Sequence, residues 1–424
     1  MKENKLTRRK FVNKMLAGSA MLLTYPWLNA FSGNSTDRSR KIKVGIIGVG
    51  SRGTVLLYFL NQLAEEINVE VAAVCDNYEP HYKHAVKMTG GKAKAYYDYR
   101  KLIEQKDLDA VVIATPLHEH AHMTIEAMQA GKHVFCEKSM ARHLNDVKKM
   151  ADVFYDTGLV LQIGHQRMFD PRYIEAVKLI QDGEIGKITQ IRAYWHRNND
   201  WRRPVPEGHP ELEKKINWRL YQAFSGGLMT ELASHQIQVA NWFKNDVPVQ
   251  VMGKGSINYW KDGREVYDNV ALVYSYADGT QFVYDSLTSN RHYGLEEQIM
   301  GDKGTLEMEV NKKYPEEKYL PKPPGIVQLI NDIQRDVFSQ SIAILGSSWV
   351  PELKIQKEGV AIADKQDDFS ETKMELEAFV DTVREGKPVE GVFEQGYWAT
   401  VWALLGLQAM DEQTIVTLPD YLKL

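Results

Sequence analysis

KIKVGIIGVGSRG, residues 41–53, is the stretch from which the rest of the chain is read. Ile42, Val44, Ile46 and Ile47 suit a strand buried on both faces, and RGTVLLYFLNQLAEE, starting at Arg52, carries its apolar residues at helical spacing. The segment is therefore expected to fold as strand, glycine turn and helix. In a G-x-G-x-x-G turn of this kind Gly48 permits the tight bend, Gly50 lets the backbone approach a pyrophosphate, and Gly53 lets helix and strand pack closely. The helix N-terminus then faces the anion.

Glycines gather in ordinary turns too, so the second half of the fingerprint matters. VEVAAVCD, residues 69–76, is a second apolar run ending in Asp76, near the separation at which an acid hydrogen-bonds the adenosine ribose. A carboxylate there favours NAD over NADP, since it repels a 2′-phosphate. Arg52, within the turn, is a candidate phosphate contact that keeps NADP in view.

The chain has 424 residues, 44% of them apolar, enough for two domains. A net charge of -4, with no basic patch interleaved with aromatics, argues against nucleic acid and for a small substrate. Residues 1–36 stand outside the fold. Thr7-Arg8-Arg9-Lys10-Phe11 precedes the apolar stretch 15–31 and then a polar segment, the pattern of a twin-arginine export signal. The apolar run is close to the minimum for a membrane span and contains Pro26, so the expectation is cleavage near Ala30, export to the periplasm, and no integral span afterwards. Cys75 and Cys136 each close a buried strand and are read as buried thiols, not a disulfide framework.

After Asp76 strand and helix patterns alternate: helix near 78–88, a short segment at Tyr96, helix near 99–105, strand 109–115, helix 118–130, strand 132–138, helix 144–156 and strand 159–164. Six parallel strands make residues 37–165 a Rossmann domain. From Asp170 the texture changes. An amphipathic helix opened by Pro171 leads into long β-rich segments, with Ala277-Asp278-Gly279 as a hairpin turn and one helical stretch at 228–243. Residues 166–424 form a second domain, with 311–368 read as an irregular surface excursion and helices near 372–385 and 393–410 closing the chain.

Thr115, Pro116 and His120 follow a strand at its carboxyl end, where open α/β sheets bind ligands. His118 and His122 have metal-ligand spacing but no third ligand completes a zinc motif, so no metal is expected. Glu137 and Lys138 end the next strand and bring a carboxylate and an amine to the same rim. Removing hydride from an alcohol requires a base for the hydroxyl proton, and a desolvated lysine can serve. Glu231 and His235, four apart on the predicted helix behind Ser225-Gly226-Gly227, would share a face, the acid orienting the histidine. Trp195, Trp201, Arg202 and Trp218 suit a carbohydrate pocket, and suit a core equally well.

These motifs in order, GVGSRG, Asp76, TPLHEHA, AGKHVFCEK, GHQRMFDPR, GEIGKI and SGGLMTELASH, resemble the Gfo/Idh/MocA family of NAD(P)-dependent oxidoreductases over nearly all of residues 41–410. The resemblance implies a Rossmann domain followed by an α/β domain with a large open, mostly antiparallel sheet, which in that family often makes oligomer contacts; a homo-oligomer follows. It implies NAD held by Gly48, Gly50, Ser51, Arg52, Gly53, Asp76, Thr115, Pro116, His120, Glu137, Lys138 and Gln166. It places Lys138 and His235 at the substrate, with Lys138, His235 and Glu231 catalytic; Arg167 and, from the aromatic-rich stretch, Trp201, Arg202 and Trp218 are read as further substrate contacts. The chain departs from the family pattern at Ser139, where a proline is usual, and at Gln238, where an acid is usual. The first expectation is an exported oxidoreductase moving a hydride between a pyranose or polyol carbon and tightly held NAD. The second is a glycosidase resembling glycoside hydrolase family 109, which oxidises its sugar transiently. The third is a non-catalytic NAD-binding sugar sensor.

Overall fold

The computed structural model describes residues 37–316, 359–364 and 370–424; the segment 1–36, expected to be an export signal, and most of the excursion expected over 311–368 lie outside the described residues. The chain opens with β1 (Ile42–Ile47) and α1 (Ser51–Leu63), followed by β2 (Val69–Cys75), α2 (Glu79–Met88), β3 (Lys94–Tyr96), α3 (Tyr99–Ile103), β4 (Ala110–Ile113), α4 (His120–Gln129), β5 (His133–Glu137), α5 (Leu144–Thr157) and β6 (Leu161–Gly164). The six strands are parallel in the order β3-β2-β1-β4-β5-β6. This is the doubly wound order, with its crevice above the carboxyl ends of β1 and β4.

The N-terminal sheet is completed from far along the chain. Helix α8 (Glu371–Glu385, in this numbering after α6 and α7 below) starts at Ser370, whose hydroxyl accepts from the Lys373 N–H, and ends at Gly386 with φ +70°. Its Leu376, Phe379, Val380 and Val383 recur at helical spacing and pack with Leu56, Leu57 and Leu60 of α1 against β1. Arg38 pins the same helix through Glu377 and Asp381, at 2.6 and 2.7 Å. A segment expected within the 166–424 domain thus packs on the nucleotide-domain sheet.

The second sheet is reached through α6 (Pro171–Gln181), capped by Asp170. Its nine strands include β7 (Ile188–His196), β8 (Gln250–Ser256), β9 (Asn269–Ser275), β10 (Gln281–Leu287), β11 (Leu295–Gly301), β12 (Gly304–Glu307), β13 (Lys312–Pro315), β14 (Val360–Ala361) and β15 (Val416–Thr417). Their order is β14-β13-β12-β11-β7-β10-β9-β8-β15. Only β7 and β10 pair in parallel; the other neighbours are antiparallel. Val270, Leu272 and Tyr274 of β9 and Phe282 and Tyr284 of β10 point to the core with period two. β11 hides from a sequence reader because Glu296 and Glu297 interrupt its apolar pattern, yet both are buried. Helix α7 (Ser234–Lys244) lies under this sheet, and α9 (Val392–Glu412), apolar on nearly every side, packs against α7, β8 and β6 and joins the two domains.

Candidate active site

The glycine turn is tight below and open above. Gly48 has φ +85°, and a Cβ there would sit 2.8 Å from the backbone of Ala114 and Thr115. One on Gly53 would lie 1.9 Å from the Gly48 carbonyl oxygen. One on Gly50 would meet nothing nearer than the His81 ring at 3.6 Å. Asp76, at the end of β2, is drawn to the turn: Val49 N–H donates to its Oδ2 at 3.0 Å, Tyr78 N–H to its Oδ1 at 2.9 Å, and His81 Nδ1 lies 3.2 Å away. At the end of β4 the Thr115 hydroxyl is buried without a hydrogen-bond partner. An open backbone cradle at a helix N-terminus, an acid beside it and an orphaned hydroxyl on the neighbouring strand fit a dinucleotide lying across the crevice.

Arg52, expected at the phosphate, turns the other way. Its Nε donates to Glu137 Oε1 at 2.6 Å and its Nη1 to Thr372 Oγ1 at 3.2 Å, with Glu375 at 3.9 Å. The cause is Glu137 at the end of β5, which takes the guanidinium, with Thr372 of α8 accepting from its far side. Ser51 opens α1, Pro116 leads from β4 into a short helical turn, and Gln166, half-buried, opens another after β6. His120 is buried, its two ring nitrogens 2.8 and 2.9 Å from the carbonyls of Ser139 and Thr115, so it ties the ends of β4 and β5 together. His118 and His122 both pair with Glu119.

Lys138 leaves β5 through a cis peptide bond to Ser139. Its ammonium crosses to the other domain and donates to the Glu231 carbonyl at 2.7 Å and the Thr230 carbonyl at 3.5 Å, while Ser139 Oγ donates to Thr230 O at 3.0 Å. Burial pulls the Lys138 pKa below the ordinary lysine value, against the opposing pull of Glu231 and Glu137.

Glu231 does not orient His235 through its carboxylate as expected. The helix opens with a π-helical turn, Met229–Ala233, so residues four apart no longer stack on one face. The Glu231 carboxylate instead accepts from Arg219 Nε at 2.9 Å and Ser225 Oγ at 3.0 Å. Burial raises its pKa, but Arg219 and Lys138 outweigh that and hold it below the usual carboxylate range. Its contribution to the site is its backbone carbonyl under Lys138.

His235 is buried beside two rings, His165 and Trp195, each 5.8 Å away between centroids. Burial, then the charges of Lys138, Arg167 and His165, push its pKa well below the ordinary histidine value, so it is a neutral donor and acceptor. His165 is pushed down to about 3 by burial and then Lys138 and Arg167. It stands immediately after β6, a carboxyl-end position that could have flagged it. Arg167 is less free than a substrate ligand was expected to be. It pairs with Glu297 of β11 at 2.7 Å, and its guanidinium lies 5.6 Å from the Trp195 ring centroid. Glu297 also accepts from Tyr173 Oη and Gln236 Nε2.

Trp201 is half-buried against the core with φ +59°, Arg202 pairs with Glu213 and Asp262, and Trp218 stacks with Arg219 at 4.2 Å. Arg202 and Trp218 therefore brace this wall. Gln238 donates to Gln395 Oε1 at 3.2 Å between α7 and α9. Cys75 and Cys136 are buried free thiols, their pKa values each pushed up to about 12 by burial.

Two family descriptions match the chain in order: the Gfo/Idh/MocA "oxidoreductase family, NAD-binding Rossmann fold" over residues 42–165, and the "GFO/IDH/MocA C-terminal domain" over residues 173–307. Myo-inositol 2-dehydrogenase of Thermotoga maritima is 27% identical over 269 residues, 62% of this chain and 74% of that protein. Inositol 2-dehydrogenase of Salmonella paratyphi B is 30% identical over 207 residues, 48% of this chain and 55% of that one, so this match spans about half the relative's length. A levoglucosan dehydrogenase solved with NADH and levoglucosan superposes with a TM-score of 0.68 at 19% identity, covering 90% of this chain and all of that one, a likeness that speaks for the fold.

Proposed function

The chain belongs to the Gfo/Idh/MocA family and is an NAD-dependent oxidoreductase of that type, and from this premise we propose that it moves a hydride between NAD and a hydroxyl-bearing carbon of a pyranose or polyol. The observation that carries the reading is Lys138: a desolvated amine at the end of β5, held by the Glu231 carbonyl at 2.7 Å, close enough for its charge to depress the pKa of His235. Oxidising a secondary alcohol releases a hydride and a proton, and NAD, when bound, supplies the hydride acceptor. Lys138, its pKa lowered by burial, takes the hydroxyl proton and returns it in the reverse direction. Neutral His235 hydrogen-bonds the same or the adjacent hydroxyl. The Trp195 face beside it suits the C–H side of a sugar ring. The relatives support the substrate class, since they are named for inositol and levoglucosan. The transient-oxidation glycosidase and the sugar-sensor readings draw no support from them.

The test is a panel of inositols, anhydrosugars and free pyranoses with NAD, read as NADH formed, beside an aryl glycoside with no added NAD. We expect NADH from at least one polyol or sugar. Aglycone release without net NADH would overturn the dehydrogenase reading. Lys138→Ala and His235→Ala should each abolish turnover while leaving NAD bound, and near-normal rates in either would remove that residue from the chemistry.

We also propose export and homo-oligomerisation. Export by the twin-arginine route is supported by Arg8-Arg9 and the apolar stretch behind them. Homo-oligomerisation through the second sheet is supported by Met252, Val273, Val283 and Leu287, which alternate with core residues and point away from the core.

A further inference from the structure

Between β7 and α7 the chain leaves the second domain, runs over the glycine turn and returns. This strap, residues 197–220, is braced from behind: Arg264 Nη2 donates to the Asp200 carbonyl at 2.7 Å, Arg202 Nη2 to the Asp262 carbonyl at 2.9 Å, and Tyr221 Oη to Glu213 at 2.9 Å. At its centre Asn217, 2% exposed, clamps the backbone of Arg203 on both sides, accepting from its N–H at 2.7 Å and donating to its carbonyl at 3.1 Å. A residue held this firmly has its side chain aimed. The Arg203 guanidinium reaches the other domain and donates to Ser51 Oγ at 3.0 Å, beside Gly50 at the start of α1. Further along the strap, Lys215 Nζ donates to the Asn77 carbonyl at 3.4 Å, next to Asp76.

The charges make this placement informative. Among the described residues neither Arg203 nor Lys215 pairs with a carboxylate, and the Arg203 pKa is lowered by burial and then by another cation, Arg219. A cation at the positive end of a helix is unfavourable in itself and becomes favourable when an anion lies between the two. The turn's own arginine, Arg52, is committed below to Glu137, so it leaves this position to another cation.

We propose that Arg203 is a ligand of the NAD diphosphate, delivered across the glycine turn by the strap 197–220, and that the strap's hold makes cofactor exchange slow. The proposal rests on the NAD-binding assignment of the Rossmann domain and is independent of which sugar or polyol is oxidised. Arg203 is the counterpart, from the second domain, of the backbone amides that approach the same phosphates from the first.

The test uses the full chain in three forms: unaltered, Arg203→Gln and Arg203→Lys. NADH release is followed by the loss of energy transfer from protein tryptophans after mixing with excess NAD, and equilibrium binding is measured for NAD and for adenosine, which lacks phosphate. Losing one charge-assisted hydrogen bond to a phosphate predicts release about 10- to 100-fold faster in Arg203→Gln. A smaller acceleration is expected in Arg203→Lys, with adenosine affinity unchanged in both and a shallower salt dependence of NAD affinity in Arg203→Gln. NADH release within about twofold of the unaltered chain would overturn the proposal. Adenosine weakened as much as NAD would also overturn it, since that result assigns Arg203 a purely structural part in the strap. Arg203 is exposed, so the variants are expected to fold, and their thermal midpoints provide the check.

Discussion

Alanine at two glycines of the same turn should act in different ways. Gly50 has φ -73° and ψ -154°, which alanine can adopt, and its methyl would stand 3.6 Å from the nearest atom of the His81 ring. The stability cost is then only that of a poorer helix cap, about 0.5–1 kcal/mol. The same methyl would occupy the open side of the turn, between the amides and a diphosphate. Losing one or two hydrogen bonds to a charged group there weakens NAD binding by about 1.5–3 kcal/mol, roughly 10- to 150-fold. Gly53 differs: its methyl would lie 1.9 Å from the Gly48 carbonyl oxygen, a backbone atom that cannot swing aside. Helix propensity favours alanine there by about 1 kcal/mol, but forcing α1 off the turn costs about 1–3 kcal/mol or more, so the net effect is destabilising. The assay is thermal unfolding of cofactor-stripped protein alongside NAD titration, since bound nucleotide raises the midpoint by mass action. Gly50→Ala should lower the midpoint only slightly and lose NAD, whereas Gly53→Ala should lower the midpoint clearly and lose NAD as well. A Gly50→Ala variant binding NAD within twofold of the parent would refute the assignment of that surface to the diphosphate, and an unchanged midpoint in Gly53→Ala would refute the packing.

Lys138 predicts a pH dependence. Its neutral form is the base, so kcat/KM for oxidation should rise with pH along one limb centred below the ordinary lysine value of 10.5, because burial favours the uncharged amine. His235 stays neutral around pH 7 and adds no limb there; a limb surviving unchanged in Lys138→Arg would belong to another group. Glu375, 0% exposed with neither carboxyl oxygen hydrogen-bonded and Arg52 only at 3.9 Å, has its pKa raised well above 4.5 by burial. The folded state therefore holds that proton more tightly than the unfolded chain. Its contribution is fully present below the unfolded value and is lost as pH rises from there through the raised folded value. Glu375→Gln cannot ionise, so unfolding titrations should show it gaining on the parent as pH rises above the ordinary carboxylate value of 4.5; a gap that stays constant with pH would refute the argument.

The glycine turn, Asp76 and the strand-end residues Thr115, Glu137 and Lys138 were legible in the chain because each depends on short-range features: an apolar period of two or 3.6, a left-handed glycine, a polar residue at the end of a buried run. The Rossmann half followed from the same periodicities, whereas the antiparallel second sheet was implied by the family resemblance and not legible strand by strand: buried Glu296 and Glu297 make β11 imitate a surface, short β13 and β14 lie within the stretch 311–368 read as irregular, and two-residue β15 carries no pattern. The partners of the charged side chains were another matter. Glu231 and His235 are four apart, yet a π-helical turn separates their faces; Arg52 sits in the nucleotide turn, yet Glu137 and Thr372 draw it away; Arg203 is one arginine in a polar run until Asn217 locks its backbone and its guanidinium meets Ser51. What the sequence alone determined is where strands, helices and the anion-facing turn lie, because backbone preferences act over a few residues. Which acid each cation answers to, and which cation faces the glycine turn, was decided only when elements as many as 343 positions apart packed together, because Coulomb and hydrogen-bond partners are selected by distance in space.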